Sequence, residues 1–376
     1  MTTVPIIVFA YAFPHRKTQD FLTNIFLETN YDVIVVASPF KKLPQNSRKI
    51  VPKTNIIRQP SLNTKDLCKK FGFKYYELKH DDTSAIADIV DKHNVCSALI
   101  SGARILKNDV IDLFSCGVIN FHPGPIPETS GLDSLYYTIK NSTYPGITVH
   151  YIDKRVDAGR LIGFYAIEMG EEDTFEIMGE NLYQIQIIAL RDILKQGVAD
   201  KELATTPIDR PFKNNPLAYE EKLEIQQGFP EWRNKVYRKQ KRFEDILSIV
   251  ETGKLGDLEK LDLSEQEINI SLNDKGWSAL TVAAYNQRHD MVSYLIKRGG
   301  DVNYTNKNGT TVLMYAKTKL LHSDEDYSLL KFLIHKGANI KARDKFGKTI
   351  IDYVREHQDK RMEDFLLAAE KETVFQ

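Results

Sequence analysis

The sequence predicts two folds in series: an open α/β sheet over the first half and an all-α stack of short helix pairs over the last third. Three observations predict this. Short runs rich in Val, Ile and aromatics alternate with amphipathic segments up to about residue 200. Three glycine-centred phrases then recur at a near-constant period. The length of 376 residues also exceeds what one core ordinarily fills.

Taken in order, residues 5–10, 32–37, 75–78, 98–101 and 118–121 read as strands. Residues 83–93, with apolar Ile86, Ile89 and Val90, and 108–114, with Val110, Ile111 and Leu113, fit helices between them. Residues 147–152 and 161–168 are again strand-like, and 173–194 read as one long helix packed on the sheet. The sum is a Rossmann-like open sheet domain over residues 1–204. Residues 205–243 change character, with Pro207, Pro211, Pro216 and Pro230 and a basic, aromatic cluster at 232–243. They are expected to form a linker or small subdomain and to offer a homodimer surface. Residues 244–376 form the repeat domain.

Composition narrows the function. Lys+Arg 51 balances Asp+Glu 51, so no chain-wide cationic field exists to hold nucleic acid. No apolar run reaches the length of a membrane span, and the apolar start at 4–12 lacks a basic n-region and a cleavage pattern. Cys68, Cys96 and Cys116 lack metal-ligand spacing and suit a reducing compartment, so a cytoplasmic location is expected. The histidines form no spaced ligand set, so no metal is expected, and His150 reads as a structural strand histidine, with support of the catalytic loop as its alternative. No glycine-rich phosphate loop is present, which argues against kinases and NAD-dependent enzymes.

One segment carries the chemistry. In VINFHPGPIPETSG, residues 118–131, a strand runs into a polar pair and then a loop stiffened by Pro and Gly. Residues two apart in a strand share a face, so Asn120 and His122 can address one reacting group. An amide donor beside an imidazole suits an acyl-transfer intermediate, Asn120 binding the oxyanion and His122 managing charge or protons. The Asp-Ala-Gly turn offers Asp157 to orient His122 or to take a proton through water; Asp153 is the alternative carboxylate. By residue types alone, Asn-x-His also fits a hydrogen-bonded turn.

The paired motifs add to this. The pattern N-x-H-P-G-x-x-P-x-x-x-G at 120–131, followed 35 positions after His122 by Asp157, resembles the formyltransferases that use 10-formyltetrahydrofolate. The resemblance covers about residues 1–200 and implies that Asn120, His122 and Asp157 are the catalytic set. It also implies that Gly102, Arg104, Ile105 and Leu106, in ISGARIL, line the folate's pterin slot. Where methionyl-tRNA formyltransferases show Tyr-Arg-Gly, this chain has Thr129, Ser130 and Gly131, implying a different acceptor loop. Asp133 and Tyr136 lie just past that loop, where helix capping and packing explain them as well as contact with a sugar does.

The repeat phrases align on Gly276, Gly309 and Gly347, spaced 33 and then 38 residues apart. They resemble ankyrin repeats, with an insertion around residues 320–327. A formyltransferase domain followed by ankyrin repeats resembles bacterial sugar N-formyltransferases of the dTDP-3-amino-3,6-dideoxyhexose type, which serve surface polysaccharide (O-antigen) synthesis. The implied partners are folate and a dTDP-amino sugar; a 4-amino hexose is the near alternative. A ligand sensor that docks a protein through its repeats is the alternative from another class. On the repeats, Trp277 follows the repeat glycine and is expected to face solvent. With Tyr285, Arg288, His289 and Tyr294 it is expected to offer a second nucleotide-sugar site, packing of Trp277 against another surface being the competing expectation.

Overall fold

Alternation along the strands decides the layers of the first half. In β1 (Pro5–Tyr11), Ile6, Val8 and Ala10 join one buried cluster while Ile7 and Phe9 join another. In β2 (Asp32–Ser38), Val33, Val35 and Ala37 divide from Ile34 and Val36 in the same way. A strand buried on both faces needs cover on both, and so reads as a continuous apolar run. The computed structural model describes residues 4–41, 60–103, 105–155, 159–208, 213–273, 275–323 and 326–373. The chain falls into two units, Met1–Tyr237 and Arg238–Gln376.

In the first unit the elements continue as α1 (Arg16–Glu28), α2 (Thr64–Phe71), β3 (Lys74–Glu77), α3 (Thr83–His93), β4 (Ser97–Ile100), α4 (Asn108–Ile111) and β5 (Gly117–His122). Then come α5 (Ser134–Lys140), β6 (Gly146–Tyr151), β7 (Arg160–Ala166), α6 (Phe175–Gln196) and β8 (Thr206–Pro207). The sheet order is β3-β2-β1-β4-β5-β6-β7-β8, parallel through β5 and antiparallel beyond it. Phe21, Leu22 and Ile25 of α1 and Leu190 and Ile193 of α6 close one face; Ile86 and Val90 of α3 and Val110 of α4 close the other. Each such fully buried side chain contributes about 1.5–3 kcal/mol. The turn from α/β to antiparallel pairing at β5 is what brings β6 beside the Asn-x-His segment.

The proline-rich stretch differs from the expected linker. Thr206–Pro207 pairs with β7 at the sheet edge, where a missing N–H costs nothing, and α7 (Tyr219–Thr252) runs through Pro230. A proline inside a helix costs about 3 kcal/mol, but its neighbours Phe229 and Trp232 are buried in the core of the first unit.

The second unit contains the end of α7, then α8 (Leu255–Lys260), α9 (Glu265–Ile268), α10 (Ala279–Tyr285), α11 (His289–Lys297), α12 (Val312–Ala316), α13 (Ser328–His335), α14 (Ile350–Glu356) and α15 (Lys360–Thr373). The repeated phrase has a physical reading. Gly276, Gly309 and Gly347 take φ of 74, 72 and 73°, the left-handed region where a side chain is strained. Two residues on, Ser278, Thr311 and Thr349 cap α10, α12 and α14, accepting from Thr281 N, Met314 N and Asp352 N. Such a cap is worth about 1 kcal/mol. Asparagines tie successive repeats: Asn269 Nδ2 donates to Gly299 O at 2.8 Å, and Asn303 Nδ2 to Gly337 O at 2.9 Å.

Candidate active site

Asn120 and His122 end β5 on the wall of a cleft of about 350 Å³. Its other walls are Ile100, Leu106, Ile111 and Ile152, with Gly131, Leu132, Asp153, Lys154, Arg155 and Lys213 also lining it. Antiparallel pairing sets Asn120 opposite His150 and His122 opposite Thr148 of β6. The cleft lies beyond the carboxyl ends of parallel strands, where open α/β sheets place ligands.

His122 is only 3% exposed, and its Nε2 lies 3.0 Å from Thr129 O and 3.2 Å from Thr129 Oγ1. A carbonyl oxygen can only accept, so Nε2 carries a hydrogen and, in the neutral ring, Nδ1 is the unprotonated nitrogen. Thr129 Oγ1 itself donates to Pro125 O at 2.8 Å, so toward the imidazole it too accepts. The loop is folded tightly enough that a Cβ at Gly124 would lie 2.2 Å from Thr129 Oγ1. Thr148 fastens the same loop to β6: its hydroxyl donates to Gly124 O at 2.7 Å and accepts from Ile126 N at 3.2 Å. The residues of H-P-G and Thr129 therefore fix one ring.

Asn120 is held from the neighbouring strand. Its Nδ2 lies 3.3 Å from Nε2 of the fully buried His150, and the amide is the donor there. His150, expected to be structural, is the residue that orients the Asn120 amide. Sequence gave no signal for this beyond the strand alternation that places it on β6.

The remaining expectations divide. Asp157 and Arg104 lie outside the described residues. Gly102 follows β4, and a Cβ there would meet the Tyr11 ring at 2.8 Å, so the loop passes closely under that aromatic. Ile105 is exposed at the cleft and Leu106 buried beneath it. Gly131 lines the cleft, but Thr129 and Ser130 are fully buried. The expectation that these two face an acceptor is not met, because Thr129 turns inward to His122 and Ser130 O accepts from Asn214 Nδ2 at 2.9 Å. Asp133 accepts from Leu217 N and pairs with Lys222 at 2.7 Å, and Tyr136 stacks on Phe175, so both act in packing. Asp153 shares the cleft; burial works to raise its carboxyl, but hydrogen bonds from Arg155 outweigh this and hold it below the ordinary carboxylate range.

Lys17, on α1, reaches β5 and has no motif in the sequence to mark it. Its Nζ donates to the Phe121 carbonyl at 3.4 Å, between Asn120 and His122, with the Phe21 ring 5.1 Å away. Burial pushes its amine down to about 8.

On the repeats, Trp277 is only 8% exposed, a correction to the solvent-facing indole expected from sequence. Neither of the expected outside partners is needed to bury it: the rings of Tyr285 and Tyr315 pack on it at centroid distances of 4.9 and 4.6 Å. Arg288 donates to the carbonyls of Glu251 and Gly253, fastening the start of the stack. His289 opens α11 exposed and Tyr294 is half-buried on it, so the structure brings only Trp277 and Tyr285 of the five into ring contact.

Similarity to known proteins falls on both units. Residues 28–193 match the formyl transferase family. Residues 248–344 match ankyrin repeats, in three copies. The chain is 29% identical over 128 residues to phosphoribosylglycinamide formyltransferase of Bacillus subtilis (strain 168), covering 34% of this chain and 66% of that protein. It is 28% identical over 152 residues to methionyl-tRNA formyltransferase of Fusobacterium nucleatum subsp. nucleatum, covering 38% of this chain and 48% of that protein. The chain thus spans less than two thirds of either relative's length. Solved structures similar to it include phosphoribosylglycinamide formyltransferase from Streptococcus pneumoniae TIGR4, at 16% identity and TM-score 0.39, covering 52% of this chain and 98% of that one. A sugar N-formyltransferase from Shewanella sp FDAARGOS_354 aligns at 16% identity and TM-score 0.38, covering 56% of this chain and 76% of that one. The segment that matches the formyl transferase family contains β5, the H-P-G loop and β6, and so the whole of the Asn120 and His122 arrangement.

Proposed function

We propose that the chain transfers a formyl group from 10-formyltetrahydrofolate to the amine of a dTDP-linked amino-dideoxyhexose, with 3-amino-3,6-dideoxy sugars favoured. The observation that carries the reading is the pair at the end of β5: an amide donor held by His150 and an imidazole held by Thr129, side by side in one cleft. The apolar wall of Ile100, Leu106, Ile111 and Ile152 suits a flat heterocycle, and the cleft volume fits a pterin rather than a whole folate, whose tail would extend outward. The folate supplies an activated formyl carbon.

The residues then have distinct tasks. One N–H of Asn120 Nδ2 is spent on His150, and the second meets the formyl oxygen as it gains charge; such a donor is worth about 2.7–4 kcal/mol of barrier. His122, with its tautomer fixed by Thr129, stabilises the same charge and manages a proton at Nδ1. Asp157 is assigned the proton lost by the attacking amine. The sugar reading rests on the departure of residues 129–131 from Tyr-Arg-Gly, with only Gly131 of the three lining the cleft, and on the ankyrin repeats that follow the domain. A role in surface polysaccharide synthesis follows from that acceptor class. Mass spectrometry of a panel of dTDP-linked 3-amino and 4-amino dideoxyhexoses, incubated with the protein and 10-formyltetrahydrofolate, tests it. A gain of one formyl group on a 3-amino member is expected. Formylation of glycinamide ribonucleotide or methionyl-tRNA instead would overturn the acceptor.

A further inference from the structure

Cys96 and Cys116 stand at the amino ends of β4 and β5, each one residue before the paired Ser97 and Gly117. The Cys116 N–H donates to Cys96 O at 2.8 Å, so the two residues are lateral neighbours in the sheet. Adjacent strands lie about 4.8 Å apart, within the Cα span of about 4.4–6.8 Å that a disulfide bridges. The two sulfurs are 2.6 Å apart, inside the van der Waals contact of two sulfur atoms. The Cys116 thiol points at Cys96 Sγ, and the Cys96 thiol donates onward to Ala199 O at 3.2 Å. Both are half-buried free thiols within reach of a small oxidant, whereas Cys68 is buried on α2. Neither sulfur has a task in formyl transfer: they sit at the opposite end of β5 from His122.

We propose that Cys96 and Cys116 are a modification site at which a hydroperoxide drives formation of an intrachain disulfide. The step balances as two electrons. One sulfur, as thiolate, attacks a peroxide oxygen; the O–O bond breaks, leaving a sulfenic acid and, after protonation, water. The second sulfur attacks the sulfenic sulfur, the S–S bond forms, the S–O bond breaks and a second water leaves. Two thiols and one hydrogen peroxide thus give one disulfide and two waters. Burial, reinforced by the hydrogen bond from Cys116, pushes the Cys96 thiol up to about 11, which keeps its thiolate scarce at neutral pH and its own reaction with peroxide slow.

The bond would join residues 20 apart in sequence, and the segment between them carries β4, the cleft residues Ile100 and Leu106, and α4. Closing a loop of that size restricts the unfolded chain, so the oxidised first unit should melt about 5 °C or more higher. The test uses the full chain treated with hydrogen peroxide and then denatured for thiol titration. The expected result is a fall from three thiols to one, with a non-reducing peptide map showing residues 96 and 116 linked and two hydrogens lost. Dithiothreitol should restore the thiols and the lower melting temperature. Cys68→Ser should keep the bridge and Cys116→Ser should lose it. A bridge that includes Cys68, a disulfide between chains, or over-oxidation of single cysteines with no 96–116 link would overturn the proposal. The wild-type peptide map decides even if Cys116→Ser does not fold, and its outcome is independent of the acceptor's identity.

Discussion

In the first unit, the site is held by contacts between two strands and a folded loop, each different from the next; in the second, the same contacts recur from one repeat to the next. His122 is positioned by Thr129, whose loop is tied to Thr148, while Asn120 depends on His150 across the strand pair. The repeats instead place each glycine turn, its Ser or Thr cap and its asparagine rung within one period of their partners. Disturbance should therefore spread differently: a loop change in the sheet unit should reach the site through a chain of contacts, whereas a repeat change should remain a nearest-neighbour loss of stability.

The largest effect is expected at the site itself. His122→Asn removes the imidazole while keeping a side chain able to donate to Thr129 O, so folding should be spared and turnover should fall by about 10³-fold or more. Rate measurement on the acceptor found by mass spectrometry, paired with a melting curve, separates the two. Retention of more than a tenth of wild-type turnover would remove His122 from the proposed reaction.

A matched pair of glycine substitutions tests the contrast more directly. Gly124→Ala places a methyl 2.2 Å from Thr129 Oγ1, and so should move the residue that holds His122. Turnover should drop by about 10-fold or more, with a stability loss of about 1–3 kcal/mol from overpacking. At Gly347 nothing lies within 4 Å of an added Cβ, and the cost comes only from φ of 73°. Gly347→Ala should therefore cost about 1 kcal/mol and leave turnover unchanged. Faster hydrogen exchange confined to peptides of the repeats would agree; a turnover loss equal to that of Gly124→Ala would erase the distinction.

How much of this was legible in the sequence follows from the same contrast. The apolar runs of β1 and β2 announced strands because burial on both faces leaves them no polar positions. The repeat glycines and caps were legible because each satisfies a local backbone need. The sequence does not single out the helices α1, α2 and α5, and α5 shows why: four of its seven residues, Tyr136, Tyr137, Thr138 and Ile139, are aromatic or β-branched, and Asp133 before it enters with φ of 61° and no side-chain cap. The sequence places Thr129 at an acceptor because the direction of a loop hydroxyl is set only by the fold; the close approach of Gly124 turns it inward. His150 and Lys17 reach the site from β6 and α1, and Trp277 is enclosed by a tyrosine of the next repeat, contacts that exist only once the chain is folded. Pro230 looked like a breaker, but burial of its neighbours holds the helix through it.

The smallest effects divide the units by pH. In the repeats, the hydrogen bond from Arg242 leads the groups that pull the Glu267 carboxyl down to about 2, with Ser264 adding to it. Because the folded value lies below the unfolded one, that stabilisation is complete above about pH 4.5 and lost as pH falls through 2. It should amount to on the order of 1–2 kcal/mol after solvent screening, seen as a gap between wild type and Glu267→Gln at pH 7 that closes in acid. Lys17 also gives stability that rises with pH, but its contribution at pH 7 is a penalty. Its folded value near 8 also lies below the unfolded value of 10.5, but for an amine this penalises the fold at low pH and the penalty fades as pH rises from 8 to 10.5. Lys17→Met, whose thioether would sit between Phe21 and Phe121, should be more stable than wild type at pH 7 by on the order of 1 kcal/mol. That advantage should shrink toward pH 10. Denaturation curves that run parallel for wild type and Lys17→Met across this range would mean that the amine is hydrated beside β5, and would remove the expected gain of stability between pH 8 and 10.5.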